Sequence, residues 1–354
     1  MKILYAVQGT GNGHLSRARV LGHYLNQSDA DITYLFTGRD RAKLTEMAMF
    51  GDFWYRKGLT FITQDGQIKP IKTLLNNQHL QFIKDVLTLP VDGFDLIISD
   101  FEPVSAWAGK LKGIPVLGCG HQYAFSGHTP IAEDSPISRA LMKYFAPCEF
   151  SVGQHWYPYE YNILPPIIDH TLAPTTCHGK YVVYLPFEDQ TRVVALLNQL
   201  NEHEFILYTP HLPHGSKGNV KIRKPCQTGF KQHLKGAKGV ICNAGFELTS
   251  ECIHLGVPIL TKPLKGQMEQ ASNSLALTHL GYGSSIKNLS IKGLDAWLKQ
   301  PKPRTPRPIP NVAKALSEWI LLKQWHDPQL LSHQLWHSHL TLSTNCHERL
   351  AISA

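Results

Sequence analysis

Gly239-Val-Ile-Cys-Asn243-Ala-Gly245-Phe-Glu-Leu-Thr249-Ser250-Glu251-Cys-Ile-His-Leu-Gly256-Val-Pro258-Ile-Leu-Thr-Lys-Pro263 is the stretch on which the reading of the whole chain turns. An apolar run that stops at Asn243 reads as a buried strand. Gly245 lets the backbone N–H groups at the start of the next helix face a ligand, a geometry that holds a diphosphate without metal. Glu251, two turns into that helix, can reach ribose hydroxyls beside the diphosphate. Gly256-Val-Pro258 ends the helix and opens another strand. In the loop that follows, Glu269 and Gln270 offer an acceptor and an amide to sugar hydroxyls.

The same alternation extends in both directions. Tyr181–Leu185, Phe205–Tyr208, Val220–Ile222 and Pro258–Leu260 read as further strands, with helices between them. Upstream, Lys2–Val7, Asp31–Phe36, Phe94–Ser99 and Pro115–Cys119 are strands, and Leu15–Asn26 and Val104–Lys112 are helices. Ile71–Leu89 carries apolar residues at helical spacing, including Phe82, Ile83, Val86 and Leu87. Short apolar runs alternating with helices imply parallel sheets covered on both faces. Tyr157–Pro166 and His170–Gly179 read as an interdomain linker, and the prolines between Lys299 and Pro310 as an extended connector. Val312–Trp325 is a terminal helix with Ala313, Leu316, Trp319, Ile320 and Lys323 on one face. The expected organisation is residues 1–160, an N-terminal Rossmann-like domain; 161–310, a C-terminal one; and 311–354, a helical segment packing back on the first.

The 354 residues are 43% hydrophobic and 18% charged, which excludes a disordered or fibrous chain. Seven scattered cysteines without a Cys-x-x-Cys pair indicate neither a disulfide framework nor a zinc ribbon. No apolar run has the length of a leader or a membrane span, so a cytoplasmic protein is expected. The formal charge of +8 is carried entirely by residues 166–354. No aromatic-interleaved basic run accompanies it, so a small anionic ligand explains the asymmetry better than a nucleic acid does.

The second informative loop is Gln8-Gly9-Thr10-Gly11-Asn12-Gly13-His14, between the first strand and a helix bearing Arg17 and Arg19. Its Gly-x-Gly-x-Gly spacing departs from the dinucleotide fingerprint, and the second strand ends in Thr37-Gly38-Arg39 with no acid for a ribose. His14 is a titratable group beside the crevice. Asp100, ending a neighbouring strand, can fix its tautomer as the acid partner of a general base. Alternatively His14 caps its helix, and Asp100 caps the helix beginning at Pro103. His121, followed by Gln122 and Tyr123, competes for the role of base.

These residues together resemble the nucleotide-sugar glycosyltransferases of the GT-B fold, and within them the UDP-glucuronosyltransferase-like enzymes and the bacterial UDP-GlcNAc transferase that makes lipid II. The family's Gly-His loop is matched by Gly13-His14. Its Ser-Glu-x-x-x-x-Gly-x-Pro is matched by Ser250-Glu251 through Gly256 and Pro258, and its Gln-x-x-Asn by Gln270 and Asn273. The resemblance covers both halves in order. It implies two Rossmann-like doubly wound domains facing across a cleft, with the second gripping a nucleotide sugar, most often UDP-linked, and the first presenting the acceptor.

On that reading the enzyme is an inverting hexosyltransferase that needs no metal or other cofactor. His14 deprotonates the acceptor hydroxyl with help from Asp100. The donor lies against Gly13, Phe230 (a wall for the base), Asn243, Gly245, Phe246, Thr249, Glu251, Glu269 and Gln270. Arg17, His121 and Gln122 stand on the acceptor side. The sequence does not identify the acceptor: a lipid-linked group, a cell-envelope or other glycan, a small aglycone and a protein all remain open. The aromatic cluster Phe50, Phe53, Trp54 and Tyr55 either borders a lipid at a peripheral membrane contact or, the reading preferred, fills the core. Ala244-Gly245 departs from the family's small pair before the diphosphate helix, and Pro186-Phe187-Glu188-Asp189 puts two acids near the expected diphosphate. Glu269 stands where the family has Asp or Gln. Asp29-Ala30-Asp31 reads as turn chemistry and His333, His337 and His339 as a solvated helix face, so no metal site is expected. The alternatives are a nucleotide-sugar epimerase of the same fold and a non-catalytic nucleotide-sugar-binding protein.

Overall fold

The computed structural model describes residues 1–60, 63–64, 67–68, 77–159, 162–300 and 304–352. Two seven-stranded sheets organise them. The first contains β1 (Lys2–Gln8), β2 (Asp31–Thr37), β3 (Trp54–Tyr55), β4 (Leu96–Asp100), β5 (Val116–Gly120), β6 (Phe150–Gln154) and β7 (Ile163–Leu164). All are parallel and ordered β3-β2-β1-β4-β5-β6-β7. The second contains β8 (Tyr181–Tyr184), β9 (Phe205–Tyr208), β10 (Gly215–Lys217), β11 (Val220–Arg223), β12 (Gly239–Cys242), β13 (Ile259–Thr261) and β14 (Ser284–Ser285), ordered β10-β11-β9-β8-β12-β13-β14. Within this second sheet, among the described residues, the edge pair β10–β11 alone is antiparallel. Each sheet reverses its order beside its first strand, β1 or β8. Open α/β sheets bind ligands at such a switch point, at the carboxyl ends of their strands.

Parallel strands are buried on both faces, and β1 shows why its run is nearly all apolar: Ile3 through Val7 are fully buried. Helix α1 (Asn12–Leu25) covers it with Leu15, Ala18, Leu21 and Leu25. Helix α2 (His79–Thr88) forms inside the expected 71–89 stretch, whose residues 71–76 lie outside the described residues. Its apolar spacing only partly translates into burial. Val86 is buried, while Leu80, Ile83 and Leu87 are exposed. Helix α3 (Pro103–Lys112) follows β4, and α4 (Pro136–Tyr144) precedes β6.

In the second half, α5 (Gln190–Asn198), α6 (Gln227–Lys235), α7 (Phe246–Leu255), α8 (Met268–His279) and α9 (Ile291–Leu298) flank the sheet. Gly256 ends α7 with φ of +69°, and a Cβ there would lie 2.3 Å from the Pro306 nitrogen. The position therefore serves both the turn and the close passage of the proline-rich connector.

That connector leads back to the first half. Helices α10 (Val312–Leu321) and α11 (Pro328–Ile352) place Val312, Leu316, Trp319, Ile320, Leu331 and Leu335 in the same core as β1 and α1. The expected face of α10 is buried except Lys323, which lies beyond the helix with φ of +57°. Phe50 and Phe53 pack on Phe36, and Trp54 on Phe94. These members of the aromatic cluster thus fill the edge of the first sheet. Among the described residues no helix is long and apolar enough to cross a membrane.

Candidate active site

The carboxyl ends of β1 and β4 bring His14 and Asp100 together. Helix α1 begins at Asn12, earlier than the sequence pattern indicates, so His14 sits in its first turn. Its Nδ1 lies 2.7 Å from Asp100 Oδ1. Arg17 Nη2 lies 3.0 Å from the same nitrogen, but Asp100, held ionised, can only accept. Nδ1–H therefore donates to the carboxylate and Nε2 keeps its lone pair, the tautomer a general base needs. The His14 side chain keeps 15% of its surface accessible while Asp100 has none. Asp100 does not cap the following helix. Glu102 does, accepting from the Val104 and Ser105 amides at 2.8 and 2.7 Å.

Arg17 is the charge behind this pair. Its guanidinium is 1% exposed, donates from Nε to Asp100 Oδ2 at 2.8 Å and from Nη2 to Oδ1, and reaches Glu247 with Nη1. Burial alone would push the Asp100 carboxyl up. The neighbouring Arg17 and His14 outweigh it and hold the group below its ordinary range. Arg17, expected to stand on the acceptor side, instead has all three guanidinium nitrogens turned to Asp100 and Glu247. It is a buried bridge between the two halves.

His121 lies deeper. It has no accessible surface, its Nδ1 faces the Gln154 carbonyl at 2.7 Å, and its Nε2 faces Asn273 Oδ1 at 2.6 Å. Its ring stacks on Phe246 at 3.8 Å between centroids. With both nitrogens engaged and one face covered, it has no route to a substrate proton. Burial also depresses its pKa. Gln122 donates to Glu269 Oε2 at 3.0 Å, joining the first half to the first turn of α8, where the sequence pattern indicates a loop.

On the second half, α7 begins at Gly245 with no side-chain cap, and a Cβ there would meet nothing within 4 Å. The first turn of α7 therefore lacks a side-chain cap, and the helix dipole favours an anion at such an end. Glu251 is 8% exposed and makes no hydrogen bond among the described residues. Burial pushes its carboxyl up to about 7 against the pull of Lys231, with Asp169 and Glu247 adding to the rise. A groove of about 820 Å³ runs along α6, lined by Gln227, Thr228, Lys231 and Asp169 among others. Lys231 and Asp169 are ion-paired at 2.7 Å, and both act on Glu251.

Several residues expected to face a ligand have structural partners instead. Phe246 is 1% exposed, stacked between His121 and Trp156, so it belongs to the core that joins the halves. Thr249 turns its hydroxyl back to the Gly245 carbonyl at 2.8 Å. Gln270, in the first turn of α8, accepts from the Leu264 amide at 2.9 Å and so ties down the loop that precedes its helix. Asn243 donates to the Lys262 carbonyl at 2.9 Å. Phe230 packs against Tyr184 and Tyr208, away from the groove residues on its own helix. The acids of Pro186–Asp189 also have partners: Glu188 pairs with Lys262 at 2.7 Å, and Asp189 caps α5. Glu247 and Lys231 were not singled out from the sequence. Glu247 was visible only as an acid in the first turn of α7, and its partner Arg17 is 230 residues away.

Residues 1–301 match the protein family described as Glycosyl transferase family 1. No curated protein sequence matches the chain. Among solved structures, the glycotransferase of kitacinnamycin is similar over 97% of this chain and 95% of its own, at 14% identity and a TM-score of 0.60. The glycosyltransferase VinC in complex with DTDP covers 98% of this chain and 100% of its own, at 13% identity and a TM-score of 0.53. UGT89C1 of Arabidopsis thaliana, complexed with UDP, covers 94% of this chain and 99% of its own, at 15% identity and a TM-score of 0.57. These likenesses extend the two-sheet GT-B architecture over both halves.

Proposed function

This chain belongs to glycosyl transferase family 1, and from that premise we propose that it transfers a sugar from a UDP- or dTDP-linked donor to an acceptor hydroxyl, inverting the anomeric carbon. The observation that carries the reading is Glu251. Glu251 is largely buried and has no hydrogen-bond partner among the described residues, and burial raises its pKa to about 7, so a ligand hydroxyl beside it would restore what the carboxyl loses by leaving water. Glu251 stands six residues along α7 from Gly245, a rise of about 9 Å from the uncapped end.

The donor's nucleoside lies towards Glu251 and the groove along α6. Its diphosphate faces Gly245 and the first amides of α7, which stabilise the charge growing on the leaving group. Backbone N–H groups supply that stabilisation without a divalent cation. Glu269, held by Gln122, reads a sugar hydroxyl. On the opposite wall, the acceptor hydroxyl gives its proton to His14 Nε2 as its oxygen attacks the anomeric carbon. Asp100 fixes the ring and balances the imidazolium that results. Attack on the face opposite the diphosphate inverts the configuration.

Thermal-shift screening with UDP, dTDP and GDP, with and without EDTA, tests the donor assignment. A ligand present at ~100 times its dissociation constant stabilises by about 2.7 kcal/mol. Stabilisation by UDP or dTDP that EDTA does not remove supports the reading. Indifference to all three nucleotides refutes it.

A further inference from the structure

Glu247 lies in the first turn of α7, where the proposed donor would place its diphosphate, and a carboxylate there repels that ligand. It is nevertheless drawn across the cleft to Arg17 Nη1. The approach is close enough that a Cβ on Gly13 would lie 2.2 Å from Glu247 Oε2, so the glycine at that place in the first loop admits the carboxylate. Arg17 itself cannot turn away, because Asp100 holds its Nε and Nη2. Glu247, at 18% exposure, is the movable member of the pair.

Resting on the donor reading above, we propose that Glu247 is an internal stand-in for the donor phosphate. In the unliganded protein its carboxylate neutralises Arg17. When the diphosphate arrives at the amides of α7, a phosphate oxygen takes over Arg17 Nη1 and the Glu247 side chain swings out to solvent. The exchange swaps one anion for another on the same guanidinium, so no buried charge is left unpaired. Phosphates match the guanidinium fork at least as well as carboxylates do. Arg17 thereby becomes a positioning residue that ties donor occupancy to the His14–Asp100 pair, since the same guanidinium grips Asp100. Glu247 sets the affinity threshold: only a ligand with enough phosphate charge displaces it.

The test is calorimetric titration of the wild-type protein and the Glu247→Gln variant with UDP and with uridine. Removing the competing charge is expected to tighten UDP binding about tenfold or more while leaving uridine affinity unchanged, because the nucleoside does not approach Arg17. Equal or weaker UDP binding by E247Q overturns the inference, as does an equal gain for uridine. Failure of UDP, dTDP and GDP to bind either form overturns the donor reading and the inference with it. A Glu247→Asp variant, which keeps the charge on a shorter stem, separates charge from shape. UDP affinity near that of the wild type supports displacement of a charge, and a gain as large as that of E247Q overturns it.

Discussion

His14 Nδ1 and Asp100 Oδ1 stand 2.7 Å apart although 86 residues separate them in sequence. Neighbouring parallel strands β1 and β4 create the meeting, with Val7 directly opposite Asp100. The arrangement orients one imidazole nitrogen inward and leaves the other for chemistry. His14→Ala is expected to keep nucleotide affinity and to lose about 10²–10⁴-fold in turnover. Parallel titrations and transfer rates check this, and an equal loss of binding would make His14 a structural residue.

Asp100→Asn removes one of two carboxylates that compensate the buried Arg17 guanidinium. Leaving a buried charge short of its partner costs roughly 3–5 kcal/mol. Urea denaturation should show a loss of that order, larger than for removing an exposed ion pair such as Lys299–Asp295. A loss below about 1 kcal/mol would mean that Glu247 alone suffices for Arg17.

Glu251 makes stability depend on pH in the direction opposite to most carboxylates. Its folded-state pKa, about 7, lies above the ordinary 4.5, so between those values the folded protein holds the proton more tightly than the unfolded chain. Its contribution to stability therefore falls as pH rises through that window, and the full cost, about 3 kcal/mol, is reached above it. Glu251→Gln should stabilise the unliganded protein at pH 8 and have little effect at pH 4.5, by denaturant melts. The same variant should weaken UDP binding. Stabilisation independent of pH would show that Glu251 is ionised throughout.

The halves were legible from sequence because parallel strands announce themselves as short apolar runs, and glycine and proline punctuate their turns. The meeting of His14 and Asp100 was legible because His14 closes the glycine loop after β1 and Asp100 ends β4, the neighbouring strand. What could not be read was which polar groups have partners. Thr249 and Gln270 sit in the same motif as Glu251, yet their side chains are satisfied by backbone groups nearby. His121 and His14 look alike as histidines after strands. Only the crossing of Asn273 and Phe246 from the other half distinguishes them. The edge strand β10 was missed because Gly215–Lys217 is fully exposed and carries no apolar alternation.

Helix α10 closes the first core from the far end of the chain, and Leu316 is its fully buried centre. Leu316→Ala should cost roughly 2–5 kcal/mol. Thermal unfolding should show the loss in the transition that contains β1. A cost confined to fraying of the C-terminal helices would mean that they dock independently of that core.

The proposed donor site depends on the uncapped amino end of α7, and Gly245 offers a direct way to close it. Its backbone is extended, at φ −72° and ψ 138°, which any residue adopts, and a Cβ there meets no protein atom within 4 Å. Aspartate is a favoured N-cap, so Gly245→Asp should hold or raise the melting temperature while placing a carboxylate against the amides that would receive the diphosphate. Calorimetric titration of this variant with UDP and dTDP is expected to show binding abolished in a fully folded protein. Undiminished nucleotide binding by folded Gly245→Asp would contradict the assignment of this helix end as the donor's phosphate cradle.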